Sequence, residues 1–238
     1  MLVLARVGGL AWTAPALATP GLGWRVRLPL AVLLSAVLLP VVGPLIAAPD
    51  GLAALGRACL IEALVGAALG WSAGLIVAGA RQAGEIIGAQ AGLSPAAFLD
   101  PEAGEEMTPL GHLYGLIALA VFLALDGPLV LVRGVVESYR VLPPGQAILT
   151  EETARLAFGR VGEALGLALR LAAPTALGLT LAGVALGLLG RAAPSLPLIA
   201  LSLPIRWGLG LVLVLAGLLT LTATLAAAWH GWPGIGGG

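Results

Sequence analysis

Lysine is absent from this 238-residue chain, and all twelve basic residues are arginine. Every cation therefore keeps its charge when buried and has to be matched by a partner or by water. Charged residues make up only 10 % of the chain, against roughly a quarter in soluble domains, and the formal net charge is zero. With no basic tail or stripe to neutralise phosphates, nucleic acid is not an expected partner. A single cysteine, Cys59, excludes an internal disulfide; flanked by apolar residues, it reads as a small core residue rather than a nucleophile. The only two histidines, His112 and His230, stand far apart and in no metal-ligand spacing, so neither metal nor cofactor is expected. Gly92-Leu93-Ser94-Pro95 lacks the second glycine of a serine nucleophile elbow, and no His–Asp pattern accompanies it. No catalytic constellation is left, and the chain reads as a non-enzyme.

What is present is apolar. Hydrophobic residues form 59 % of the chain, and the mean hydropathy is +1.04. Six runs approach or exceed the ~18 residues of a transmembrane candidate: 2–19, 28–49, 58–80, 110–132, 161–189 and 198–229. An all-α, polytopic membrane-type protein follows, with no room for a separate soluble catalytic domain. Residues 1–18 read as a retained first helix rather than a signal peptide, because a clear basic n-region is missing. Arginines in alternate loops fail to orient the chain. Arg25, Arg27, Arg81 and Arg191 fall on one side, and Arg57, Arg133, Arg140, Arg155 and Arg160 on the other. So even a split suits helices that pack into an assembly better than helices that each cross lipid alone.

Thirty-five glycines and seventeen prolines shape the helices. Gly66, Gly70 and Gly74, and then Gly162, Gly166, Gly178, Gly183 and Gly187, recur at helical spacing and read as close-packing faces. Pro15, Pro29, Pro40, Pro44, Pro128, Pro174, Pro197 and Pro204 fall within apolar runs, where each removes a helical hydrogen bond and kinks or breaks its segment. Freed carbonyls need protein or water nearby, so kinked helical hairpins buried against neighbours are expected. Arg6, Glu62, Asp126, Glu163, Arg170 and Arg206 are ionisable residues inside these runs, at about 2.5–3.5 kcal/mol each if left at the centre of a bilayer helix. Glu62 lies one turn from Ala58 and Gly66, on the small-residue face. It and Arg206 are expected to be neutralised by pairing at helix interfaces; a proton relay for Glu62 is the competing role.

The most informative stretch runs from Ala83 to Pro109. It is glycine-spaced at Gly84, Gly88 and Gly92, carries Asp100, Glu102, Glu105 and Glu106, and has Phe98 and Met107 as bulky apolar points before Thr108-Pro109. It is too apolar for a free linker. A loop of this length held between helices is expected to be a lid or constriction, or else a solvated surface loop. Glycine, serine, proline and methionine give it a surface able to deform around passing chains.

Ala83-Gly84-Glu85, Ile87-Gly88, Gln90, Gly92-Leu93-Ser94 and Asp100-Pro101 together resemble the FliR/SctT family of type III protein export gates. Arg6 with Ala14-Pro15, Pro20 and Arg25 to Arg27, then Glu62-x-x-x-Gly66-x-x-x-Gly70, extend the resemblance over nearly the whole chain. Fainter matches fall at Asp126-Gly127, Leu142-Pro143-Pro144-Gly145, Gly187 to Pro194 and Pro204. Asp126-Gly127-Pro128 and Pro194-Ser195-Leu196-Pro197 depart from the family's usual Asn-Gly-His and Pro-Gln-x-Asn.

The resemblance implies a FliP-like helical part over residues 1–155, with a plug loop at about 84–109, fused to a FliQ-like hairpin part over 156–238. It implies one copy closing a helical ring with FliP-like and FliQ-like subunits in the bacterial inner membrane, much of it above the membrane plane, at a flagellar basal body or injectisome base. Further partners it implies are FlhB/SctU-like and FlhA/SctV-like export proteins, unfolded protein substrates and membrane lipid. In that reading Phe98, Asp100, Pro101, Glu102, Glu105, Glu106, Met107, Thr108 and Pro109 form the pore plug, and Gly84, Gly88 and Gly92 are its hinges. Glu62, Glu85, Gln90, Arg191 and Arg206 are polar contacts between helices or subunits. The competing class is a small-solute or ion transporter with a broken-helix binding site, which calls for an inverted repeat and converging midplane charges. Neither pattern is evident.

Overall fold

The computed structural model describes residues 1–15, 17, 23–45, 51–93, 107–144, 151–192 and 198–232. All regular structure among them is helical. In chain order the α-helices are α1 (Leu2–Thr13), α2 (Trp24–Val42), α3 (Leu52–Ala91), α4 (Pro109–Ala124), α5 (Gly127–Val141), α6 (Glu151–Ala192), α7 (Leu198–Ala216) and α8 (Leu218–His230), with a 3₁₀ turn at Gly43–Leu45.

Local chemistry sets the ends. Ala14, which precedes Pro15, is extended at φ −62°, ψ 135°, as steric clash with a following proline ring demands, and α1 stops there. Pro128 sits in the first turn of α5, where a missing N–H costs nothing, so it starts a helix and does not kink one. Pro29, Pro40, Pro174 and Pro204 do lie inside helices. At the end of α3, the Leu93 N–H donates to the Gly88 carbonyl at 2.9 Å and the Gly92 N–H to the Ala89 carbonyl at 3.1 Å. With Gly92 at φ +77°, this is a Schellman ending, a conformation that favours glycine.

Three helices, α2, α3 and α6, are long and apolar enough to cross a membrane, or up to five spans if each interrupted pair counts once. Not each of the six expected apolar runs is a span of its own. The first, 2–19, yields a helix of only 12 residues, about 18 Å long and too short for a ~30 Å hydrocarbon core. Run 110–132 is interrupted at Asp126, which adopts the left-handed conformation at φ 53°. Run 198–229 is interrupted at Gly217, with a 53° bend between α7 and α8.

The chain forms two compact units. One comprises residues 1–76, 122–161 and 229–238; the other, 77–121 and 162–228. These two units alternate along the sequence. In the first unit α1 lies against α3 so closely that side chains are excluded. A Cβ on Gly66 would collide with the Arg6 carbonyl, one on Gly9 with the Ala63 carbonyl, and one on Gly70 with the Thr13 hydroxyl. The Glu62-x-x-x-Gly66-x-x-x-Gly70 stripe thus seats the α1 backbone. Phe122 and Trp229 stack with centroids 4.6 Å apart, and the Trp232 indole N–H donates to Ser72 at 3.1 Å. In the second unit α3 meets α4 at Gly84 and α6 at Gly79, each facing backbone of its neighbour (Leu110 and Ala164). In α6 a Cβ on Gly178 would meet Leu213 and one on Gly183 would approach Arg206, whereas one on Gly162, Gly166 or Gly187 would meet nothing within 4 Å among the described residues.

Candidate functional site

Two polar clusters interrupt the apolar packing, one in each unit. In the first unit Arg6 and Glu62 are both fully buried. Arg6 Nε donates to Glu62 Oε2 at 2.6 Å and Nη2 to Oε1 at 3.0 Å, a bidentate pair. Two further guanidinium hydrogens go to Ser138 Oγ at 2.9 Å and to the Leu142 carbonyl at 3.2 Å, and the guanidinium lies 3.8 Å from the centre of the Tyr139 ring. One arginine thereby ties α1, α3 and α5 together. The carboxylate expected to meet another helix does so, in this chain. Ser138 and Tyr139 were not singled out from the sequence, because nothing in their spacing relates them to residue 6.

The second cluster stands where α4 begins. Thr108 is 5 % exposed and caps α4: its Oγ1 accepts the Gly111 N–H at 3.1 Å, with Pro109 in the first helical position. Glu85, six residues before the end of α3, reaches this cap with one carboxylate oxygen. Its Oε1 accepts the Thr108 N–H at 2.8 Å and the Thr108 hydroxyl at 3.2 Å. Gly111 makes room for it, since a Cβ there would strike Glu85 Oε1, and Gly88 makes room for the threonine, since its Cβ would come within 2.7 Å of Thr108 Oγ1. The chain thus ends α3 in a Schellman turn at Gly92 and Leu93, and begins α4 at a cap that is hydrogen-bonded to the same helix.

This arrangement corrects the hinge assignment. Gly84 and Gly88 lie inside α3 as close-contact positions, against Leu110 and Thr108 respectively, and only Gly92 takes a conformation that turns the chain. Glu85 and Gln90 are likewise helical, so the loop begins at Gly92 and not at Gly84. Of the plug residues, Phe98, Asp100, Pro101, Glu102, Glu105 and Glu106 lie outside the described residues. Met107 is half-buried with its Cγ beside Gly111, Thr108 is the cap, and Pro109 is exposed at the start of α4. Gln90 accepts from the Thr180 hydroxyl at 3.3 Å, on α6. Arg191 is exposed in the last turn of α6. Arg206 is part-buried on α7, its Nη2 near Gly183, and its buried Nε has no hydrogen-bond partner among the described residues. Among those residues, too, no group of three or more His, Cys, Asp or Glu could hold a metal.

Helices of membrane-spanning length, backbones in contact through glycine, and a fully buried arginine and glutamate that pair with each other define an all-α polytopic membrane protein. The profile of bacterial export proteins, family 1, matches residues 1–231, and the chain belongs to that family. It is 31 % identical to flagellar biosynthetic protein FliR of Caulobacter vibrioides over 217 residues, 90 % of this chain and 85 % of that one. It is 35 % identical to the FliR of Escherichia coli K12 over 214 residues (90 % and 81 %), and 33 % to that of Pectobacterium carotovorum over 208 residues (87 % and 79 %).

Proposed function

We propose that this chain is a structural and gating subunit of a flagellar type III protein export gate in the bacterial inner membrane. It acts without catalysis, forming with FliP-like and FliQ-like subunits the pore through which unfolded substrates leave the cytoplasm. FlhB-like and FlhA-like export proteins are its further partners. Residues 1–155 correspond to the FliP-like part and 156–238 to the FliQ-like part. Residues 94–107 are the plug, with Phe98 and Met107 as its apolar points.

The observation that carries this reading is the pair of fixed roots. A segment whose two ends are fastened to one helix, by the Gly92 turn and by the Glu85–Thr108 cap, can yield in its middle without loosening the helices around it. Apolar points at such a constriction exclude water and ions. Family membership and the flagellar names of the relatives support the setting.

Deletion of Glu102 to Glu106, which spares the Thr108 cap, tests it. In a complex co-expressed with FliP-like and FliQ-like chains, assembly should survive and ion conductance across a planar bilayer should rise. An intact complex with unchanged conductance would make the segment a surface feature. A stable, monodisperse monomer formed without those partners would count against the gate as a whole.

A further inference from the structure

Residues 164–238 contain no acidic residue, and their only basic ones are Arg170, Arg191 and Arg206. Arg206 is the only charged residue of α7 and stands near its middle. Its side chain lies across to α6, where a Cβ on Gly183 would come within 3.1 Å of Nη2. Its Nε is buried with no hydrogen-bond partner among the described residues, while the residue as a whole is part-exposed. On the adjoining stripe of α7, Leu203, Trp207 and Leu211 are exposed, so the cation is set in an apolar surface.

An arginine cannot shed its charge, and near the middle of an apolar helix it needs an anion or water. The carboxylates described in its own unit are placed elsewhere. Glu85 is taken by the Thr108 cap, and Glu163 stands twenty residues before Gly183 on α6, about 30 Å away along the helix. A lipid headgroup lies level with the ends of a membrane-length helix, not with its middle. What fits is a carboxylate carried by another helix. The guanidinium fork can take both of its oxygens, and the apolar side chains beside it exclude the water that would compete, as around the arginine and tryptophan anchors of protein interfaces.

We propose that Arg206 pairs with a carboxylate on an apolar helix of a neighbouring subunit, which makes the α7 face around Arg206 and Trp207 an interface between chains. The inference rests on the chain's assembly with other helical subunits, as in the gate reading.

Because the chain has no lysine, Arg206→Lys gives it a single side-chain amine. Dicyclohexylcarbodiimide, which enters apolar sites, activates a carboxyl group; the amine attacks it, an amide bond forms and the urea leaves. In the complex co-expressed with FliP-like and FliQ-like chains, mass spectrometry of the digested product should find residue 206 joined to an aspartate or glutamate of another chain. Arg206→Gln should raise the dissociation constant of this chain from the complex about thirtyfold or more, the usual effect of removing one side of a desolvated charge pair, and Arg206→Lys should keep most of the affinity. Arg206→Glu combined with arginine in place of the crosslinked acid should restore it. The separate chain in detergent should unfold no more easily with Arg206→Gln than without, which separates a lost partner from lost folding. A crosslink only to an acid of this same chain, no crosslink in an intact complex, or unchanged dissociation in Arg206→Gln would overturn the inference and leave the gate reading standing. So would an anionic lipid lost from Arg206→Gln while every subunit stays bound. A wild-type chain that forms no complex with those partners would overturn both.

Discussion

The two polar clusters use a carboxylate on the same helix, α3, in opposite ways. Glu62 is wholly buried and faces a charge; Glu85 is part-exposed and faces a backbone N–H and a hydroxyl. A buried ion pair gains little over an apolar pair of the same shape, but it is costly to half-remove, since the survivor is left charged in a dry interior. A carboxylate on neutral donors is worth about 1.5–3 kcal/mol and can exchange them for water where water is near. The first cluster suits a joint that never opens, the second one that does. Position agrees with energetics: Arg6 and Glu62 lock three helices, while Glu85 and Thr108 fasten the root of a connecting segment.

Breaking the first joint should have the largest effect. Glu62→Ala strands the Arg6 guanidinium, and about 3–5 kcal/mol of stability should be lost. Thermal unfolding in detergent and the yield of folded chain measure this. Glu62→Gln keeps the volume and the acceptor and should cost less. It should weaken assembly while proteoliposomes show no proton flux to lose. Flux in the wild type that vanishes in Glu62→Gln would turn the joint into a relay and favour a transporter.

Glycine substitutions come next, because they sharpen the contrast through sterics alone. Gly66→Ala places a methyl against the Arg6 backbone, which cannot rotate away; overpacking of about 1–3 kcal/mol should outweigh the ~0.5–1 kcal/mol that alanine gains in a helix interior. For Gly88→Ala the nearest atoms belong to the Thr108 side chain and not to backbone, so unfolding should move less. Its mark should instead be a loosened cap, with raised conductance in the assembled complex. If both variants lower the unfolding temperature alike and neither changes conductance, the second cluster is as structural as the first.

Much of this was legible in the sequence. Hydropathy and glycine spacing identified the helices, and the Glu62 stripe identified the face that receives another helix. Thr108 and Pro109, read from the sequence as plug residues, are instead the cap and first residue of α4. Other features were not legible, for physical reasons. Gly84 and Gly88 read as loop residues because glycine serves both turns and close helix contacts, and only the partner backbone at Leu110 and the Thr108 side chain decide between them. The break at Gly217 lies within an unbroken apolar run, where hydropathy carries no signal, whereas the one at Asp126 stands beside Pro128, which was read as breaking its segment. Ser138 and Tyr139 meet Arg6 across more than a hundred residues, a separation no local pattern spans.

Loss of the cap alone should be milder still. Thr108→Ala removes the acceptor for the Gly111 N–H and one donor to Glu85, while the Thr108 N–H keeps its bond to the carboxylate. About 0.5–2 kcal/mol is the usual cost of such a cap. Thr108→Ser should restore it, since the hydroxyl and not the methyl makes both bonds. Hydrogen exchange at the first turn of α4 reads the effect directly; protection equal to wild type in Thr108→Ala would mean the cap does not hold that turn.

The smallest change is Glu85→Gln, and it separates charge from geometry. The amide oxygen can still accept from the Thr108 N–H and hydroxyl, so the cap should keep its shape, but a charged acceptor becomes a neutral one and about 1 kcal/mol should go. In a chain of this size that amounts to a shift of roughly 2–4 °C in unfolding temperature. Glu62→Gln makes the same chemical change on the same helix, yet it leaves a buried guanidinium facing an uncharged amide and should lower stability several times more. The paired measurement therefore isolates the environment of the carboxylate from its chemistry. If Glu85→Gln also raises conductance in the assembled complex, charge at the root helps hold the segment closed. Equal losses in the two variants, with conductance unchanged in both, would show that the clusters do not differ in kind.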